Sequence, residues 1–331
     1  MADNSKSPII EVSGLHRSFG KLEAVKDVSF TVGEGEIFGF LGPNGAGKTT
    51  TINILCTLLL PTSGNAKVNG YDVIMQTDDV RRSIGLVFQE PTLDDYLNAE
   101  QNLRFHAYAY GVPPAERETR IRELMEMVEL WDRRKDQINT FSGGMKRRLE
   151  IARGLIHQPK VLFLDEPTIG LDPQTRRNIW DHIKRLQEQT GLTIFMTTHY
   201  MEEAENCDRI AIIDYGKIVA LGTPEKLKDS VGGDLVTIKT ADNNAAIAEI
   251  RQQFGIEAGL KDDNVVFSVQ HGEQFLPEFV RQFTGSLLSV GIRRPTLDDV
   301  FLKHTGREIR AEAADPLAMI KRQRRIQGGM H

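Results

Sequence analysis

The sequence predicts an α/β protein: a mostly parallel core sheet, an antiparallel β edge sheet, a helical subdomain and a small C-terminal α+β domain. Three observations carry that expectation. The apolar runs Val161-Leu-Phe-Leu164 and Leu192-Thr-Ile-Phe-Met196 flank a helical stretch, Gln174 to Thr190, and such alternation marks parallel strands joined by crossover helices. A third apolar run, Glu36 to Leu41, leads through a glycine-rich turn into a helix that opens at Lys48 and ends at Pro61-Thr-Ser-Gly64. Ile10-Glu-Val12 and Val28-Ser-Phe-Thr-Val32 alternate apolar with polar residues, as half-buried edge strands do, and Gly33-Glu-Gly35 then turns the chain into the core.

From about Thr92 to Ile156 the pattern is helical. Ile121, Leu124, Met125 and Val128 recur at helical spacing, and Gly111 with Pro113-Pro114 interrupts the segment before them. Composition shifts at Lys228-Asp-Ser-Val-Gly-Gly-Asp234, which reads as a linker. Beyond it come strand 235–240, helix 245–254, a strand near 256–260, strand 265–270, helix 274–283 and strand 287–292. That order is a ferredoxin-like βαββαβ layout, followed by a helix from about Leu297. The expected units are residues 8–229, residues 234–308, and a basic flexible tail, 309–331, holding Lys321-Arg-Gln-Arg-Arg325.

A chain of 331 residues, 40% hydrophobic and 26% charged, has the composition of an ordinary soluble protein. Its net charge of −5 gives no footprint for nucleic acid, and no nucleic-acid partner is expected. No apolar run approaches the roughly 18–20 residues that span a bilayer, and the polar N-terminus lacks a signal-peptide core. Cys56 and Cys207 stand alone among apolar neighbours, so neither a disulfide framework nor a thiolate metal site is indicated. A cytosolic chain is expected.

The glycine-rich turn is Gly42-Pro-Asn44-Gly45-Ala-Gly47-Lys48-Thr49-Thr50. Between a strand and a helix, this spacing is that of a phosphate-binding loop, the centre of a P-loop NTPase core. Its glycines let backbone N–H groups crowd round phosphate oxygens, and the helix N-terminus adds partial positive charge. Lys48 can reach the β- and γ-phosphates, and the Thr49 hydroxyl can ligate Mg²⁺. Asp165 and Glu166 end the strand that begins at Val161, where ligands collect in open α/β sheets. Two acids there would by themselves be an ordinary helix cap. Beside a phosphate loop, Asp165 is placed to hold Mg²⁺ and Glu166 to polarise the attacking water. His199 ends the next strand and can reach a γ-phosphate. Gln89, after Ile84-Gly-Leu-Val-Phe88, can reach Mg²⁺ or the lytic water. Ser142 caps the helix that follows it, and Gly143 and Gly144 leave that helix's first N–H groups bare, which makes a second anion site.

These motifs, in this order, resemble the nucleotide-binding domain of an ABC transporter over about residues 8–229. Gly42–Thr50 matches the Walker A loop and Gln89 the Q-loop. Phe141-Ser-Gly-Gly-Met145 matches the signature, Val161–Glu166 Walker B, Ile169-Gly-Leu-Asp172 the D-loop and His199 the switch histidine. The resemblance implies ATP and Mg²⁺ as ligands, and Phe19 stacking on adenine. It also implies a head-to-tail homodimer, in which Ser142, Gly143 and Gly144 cap the ATP of the other subunit. The work would be delivered to a separate membrane permease, at the cytoplasmic face of the cell membrane. Arg294-Pro-Thr-Leu-Asp-Asp-Val-Phe301 and the rest of the second half resemble the daunorubicin-resistance subfamily, bacterial exporter ATPases for drugs, antibiotics and other hydrophobic molecules. A soluble ABC ATPase acting on ribosomes or nucleic acid is the alternative. Its translation relatives carry two ATPase domains, and its DNA-repair relatives a long coiled coil that is missing between Lys48 and Ser142. One departure stands out: Met145 occupies the usual glutamine position of the signature. Ser142 and the glycine backbone supply the phosphate contacts, so activity is expected to survive it.

Overall fold

The structure, a computed structural model, describes residues 8–261 and 263–306. The expected tail 309–331 lies outside the described residues. The main sheet has six strands, in the spatial order Lys217–Gly222, Arg209–Asp214, Ile37–Leu41, Thr193–Thr198, Val161–Asp165 and Ile84–Val87. All neighbours are parallel except the first pair. Every residue of Ile37–Leu41, Val161–Asp165 and Thr193–Thr198 is buried. Both faces of these strands are covered, which is why they read as unbroken apolar runs. Thr193–Thr198 is inserted between the strand that feeds the phosphate loop and the strand that ends in Asp165. All three C-termini therefore open on the same edge.

A four-stranded antiparallel sheet, ordered Leu22–Gly33, Pro8–Phe19, Ser63–Val68 and Tyr71–Asp72, lies against this core. Phe30 joins the two sheets: its ring is 5.4 Å from that of Phe38, nearly parallel, and within 5.8 Å of Phe40 and Phe195. Offset aromatic contacts of this kind add specificity to the area buried.

The helical subdomain starts later than expected. Residues 92–98 are not helical, and Ala99–Ala109 is the first helix, fixed by a reciprocal capping box between Asn98 and Gln101. Pro114–Met127 and Gly143–Leu155 complete the subdomain, the former with proline in its first turn, where the missing N–H costs nothing. Four strands went unread in the sequence: Ser63–Val68 and Tyr71–Asp72 of the edge sheet, and two at one end of the main sheet. Arg209-Ile-Ala-Ile-Ile-Asp214 and Lys217–Gly222 form a hairpin across Tyr215-Gly216, and the apolar run before a Tyr-Gly turn was the signal.

The C-terminal unit has the expected βαββαβ order, with sheet order Ala258–Lys261, Asn264–Val269, Asp234–Thr240 and Leu287–Arg293, all antiparallel. Its first helix, Asn243–Glu249, runs on into a π-helical turn, Ile250–Phe254. Phe254, Phe267, Phe275, Phe279 and Phe283 fill its core, with Phe279 touching each of the other four. The last helix, Leu297–Thr305, belongs elsewhere. Leu297, Val300 and Phe301 are fully buried in the main core beside Leu227, not in the phenylalanine cluster. Lys303 adds a hydrogen bond to the Ser230 carbonyl. The chain thus returns to the larger unit after leaving it.

That return predicts that Phe301→Ala weakens the larger unit. The expected cost is about 3–5 kcal/mol, as for a buried phenylalanine truncation. Denaturant unfolding followed by tryptophan fluorescence reads it, because Trp131 and Trp180 both lie in that unit. An unchanged midpoint would contradict the assignment of this helix.

Candidate functional site

The loop after Ile37–Leu41 feeds the helix Lys48–Leu55, whose N-cap, Gly47, stands at φ 107°. An added Cβ on Gly47 would meet the Ala24 carbonyl oxygen at 2.4 Å. Gly47 therefore serves the edge sheet as well as the loop: it lets the strand Leu22–Gly33 lie directly on the loop's backbone. Asn44 and Gly45 are exposed at the rim of the loop, with Thr49 exposed and Thr50 half-buried in the first helical turn.

Lys48 is buried, and its ammonium has three acceptors: the Gly42 carbonyl at 2.8 Å, the Pro43 carbonyl at 3.1 Å and Glu166 Oε1 at 3.0 Å. Those match its three N–H donors. Glu166 Oε2 lies 3.1 Å from His199 Nδ1. Burial by itself would raise the Glu166 carboxyl. The His199 hydrogen bond and the Lys48 charge outweigh it and hold the carboxyl below the usual glutamate value. Glu166 also takes a left-handed backbone, φ 46°, pinned by its N–H donating to Thr197 Oγ1 at 3.0 Å. A non-glycine residue held there carries strain, and such strain gathers at functional sites.

Asp165, next to it, behaves differently. Burial raises its carboxyl, and the hydroxyls of Thr197, at 2.5 Å from Oδ1, and Thr49, at 3.3 Å, offset only part of that. Thr49 and Asp165 bring two hard oxygens together from two different elements. No group of three or more His, Cys, Asp or Glu side chains among the described residues could hold a metal ion. Two protein oxygens, completed by phosphates and water, are the donor set that suits Mg²⁺.

Gln89 lies outside this constellation. Its side chain is exposed, and what fixes the residue is its carbonyl, which accepts from Arg147 at 3.0 Å. Arg147, from the helix Gly143–Leu155, also donates to the Phe88 carbonyl at 2.6 Å and pairs with Glu150 at 3.2 Å. Glu150, fully buried, accepts from the Thr92 N–H at 2.7 Å, and Arg153 donates to the Thr92 carbonyl at 3.0 Å. These three buried charges tie the signature helix to the Gln89 segment. Sequence reasoning passed over them, since charges on a helix read as solvated.

Phe19 is 46% exposed, and the Arg17 guanidinium covers it at 4.4 Å from the ring centroid. Ser142 is exposed and caps its helix by accepting from the Met145 N–H at 3.3 Å. The glycines that follow have a steric reason of their own. A Cβ on Gly144 would fall 2.5 Å from Thr175 Cγ2, and one on Gly143 3.1 Å from Leu171 Cδ2. Asp172 caps the helix Pro173–Thr190 through Thr175. The signature helix therefore packs at glycine distance on the D-loop residue Leu171 and on the first turn of the helix that follows it.

The family model for ABC transporters matches residues 25–169. The chain is 41% identical over 314 residues to the linearmycin resistance ATP-binding protein LnrL of Bacillus subtilis, with 91% of this chain and 100% of that protein covered. The chain belongs to the ABC transporter family. It is 40% identical over 309 residues to the doxorubicin resistance ATP-binding protein DrrA of Mycobacterium tuberculosis, covering 89% of this chain and 93% of that one. Among solved structures it resembles the ATP-binding subunit of an ABC transporter, with TM-score 0.60 and 31% identity over 67% of this chain and 92% of that one. It also resembles a dimeric ATP-binding cassette bound to ADP and Pi, with TM-score 0.58 and 30% identity over 65% and 98%. Within the ABC family its relatives are drug-resistance ATP-binding proteins, and the chain is an ATP-binding ATPase with the P-loop fold the sequence indicated.

The contact between Gly144 and Thr175 gives a stability prediction. Gly144→Ala should cost about 1–3 kcal/mol, the usual penalty for overpacking. Adding Thr175→Ser, which removes Cγ2 and keeps the hydroxyl bonded to Asp172, should restore most of it. Urea unfolding of the single and double variants checks this; a neutral Gly144→Ala would remove the packing argument.

Proposed function

We propose that this chain is the ATP-hydrolysing subunit of a two-component exporter, closing as a head-to-tail homodimer on ATP and driving a separate membrane permease. The observation that carries the reading is the convergence of Lys48, Thr49, Asp165, Glu166 and His199 at one edge of the core sheet. The relatives' names, linearmycin and doxorubicin resistance, favour a drug, antibiotic or other hydrophobic cargo.

In this reading the Walker A N–H groups of Gly45 and Gly47, with Gly42, Asn44 and Thr50 around them, hold the phosphates. An incoming γ-phosphate competes with Glu166 for the Lys48 ammonium. Once released from Lys48, the Glu166 carboxylate turns to the attacking water while His199 keeps hold of its other oxygen. Before Lys48 leaves it, the carboxyl is held below its ordinary value by His199 and Lys48, so it meets the incoming phosphate ionised, as a general base must be. Thr49 and Asp165 would hold Mg²⁺, and Gln89 would join them only by moving in from the segment that Arg147 anchors. Bound there, Mg²⁺ would neutralise charge on the phosphates. Phe19 stacks on the adenine. Ser142, Gly143 and Gly144 face the nucleotide of the partner subunit.

No helix among the described residues is long and apolar enough to cross a membrane. The transport reading adds a second, membrane-spanning protein and would put this chain at the cytoplasmic face of a bacterial membrane. A mild-detergent pull-down of the tagged chain from native membranes tests it. A stoichiometric multi-span partner is the expected result. A chain recovered with ribosomes or nucleic acid would keep the ATPase and overturn the transport.

A further inference from the structure

Behind His199 stands a second group of side chains, outside the Lys48, Glu166 and His199 cluster. Glu203, 1% exposed, lies on the short helix Met201–Ala204. Its Oε2 accepts from Thr198 Oγ1 at 2.6 Å and its Oε1 from Thr168 Oγ1, so one carboxylate ties the end of the Walker B segment to the residue before His199. Burial pushes the Glu203 carboxyl up, and the two hydroxyls with the nearby Arg176 charge pull against it. Arg176 comes from the helix Pro173–Thr190, with Nε 4.0 Å from Glu203 Oε1. That Nε is buried and has no hydrogen-bond partner among the described residues. What the guanidinium does have is a ring. It sits 3.9 Å from the centroid of Tyr200, and the Tyr200 ring in turn sits 4.0 Å from the His199 imidazole, tilted by 39°.

A single hydrogen bond does not fix an imidazole, because its terminal torsion is broad and roughly two-fold. Among the described residues His199 has one such bond, from Nδ1 to Glu166. A ring packed on the imidazole removes the remaining freedom, and a cation on the far side of that ring keeps it in place. We propose that Tyr200 is a positioning residue for hydrolysis: braced by Arg176, whose charge faces the buried Glu203 carboxylate, its ring holds the His199 imidazole in the orientation that engages Glu166. The brace rests on the proposed role of His199 and adds to it two residues, Arg176 and Tyr200, that make no contact with the reacting atoms. It also joins the helix behind the D-loop to the catalytic pair.

Steady-state ATP hydrolysis by the full chain tests it. Tyr200→Ala should lower kcat at least about tenfold, since small misplacements of catalytic groups are costly, while KM for ATP stays within about twofold. Tyr200→Phe, which keeps the ring, should match the wild type. Arg176→Met should also lower kcat, and combining it with Tyr200→Ala should add no further loss, because the two act through one imidazole. Should Tyr200→Ala fail to fold, Arg176→Met carries the test. Wild-type kcat in Tyr200→Ala beside an inactive His199→Ala would overturn the brace and leave the histidine's role intact. An active His199→Ala would overturn both. Equal losses in Tyr200→Phe and Tyr200→Ala would also remove the ring from the argument.

Discussion

Strand Thr193–Thr198 organises the ATP site from the middle of the sheet. Because it is inserted between Ile37–Leu41 and Val161–Asp165, its C-terminal end can reach both the phosphate loop and the acidic pair. The Thr198 carbonyl accepts from the Gly42 N–H at 3.1 Å and so fixes the start of the loop. Thr197 holds the Asp165 carboxylate and the Glu166 N–H through one hydroxyl. His199, one residue past the strand, takes the Glu166 side chain. Placing ligands beyond the carboxyl ends of parallel strands is general to open α/β sheets. The particular device is a strand whose last residues are hydroxylic and whose next residue is an imidazole.

Burying Lys48 beside Glu166 is expensive unless every polar atom is satisfied. The site meets that condition by giving the ammonium three acceptors and both carboxylate oxygens a cationic or imidazole partner. The same logic recurs at the signature helix, where Arg147, Glu150 and Arg153 are satisfied by one another and by the backbone of residues 88–92. The glycines follow a different rule. Gly47 and Gly144 sit where protein atoms of the same subunit leave no room for a Cβ, so phosphate contact is only part of why they are glycine.

The core sheet was legible because its strands are apolar on both faces, and the nucleotide loop because its spacing is specific. Glu166, His199 and Lys48 were found by motif, and the structure brings His199 and Lys48 within hydrogen-bonding distance of Glu166. The hairpin of Arg209–Asp214 and Lys217–Gly222 was missed although its pattern was present. The segment 92–98 read as helix because Asn98 caps a helix that starts only at Ala99, and a cap is a weak signal beside helical periodicity. Other features had no local signal. Nothing in Leu297-Asp-Asp-Val-Phe301 says which of two cores its apolar residues enter. Arg176, Tyr200 and Glu203 are each ordinary in sequence, and only the fold sets them in line behind His199.

The central claim is that Glu166, held between Lys48 and His199, is the group that activates water. Glu166→Gln keeps the shape and the hydrogen-bonding reach and removes the charge. In the purified full chain with ATP and Mg²⁺, measured by sedimentation alongside phosphate release, the variant should bind ATP, accumulate as a dimer and hydrolyse at least about a hundredfold more slowly than the wild type. Hydrolysis at the wild-type rate would contradict the account.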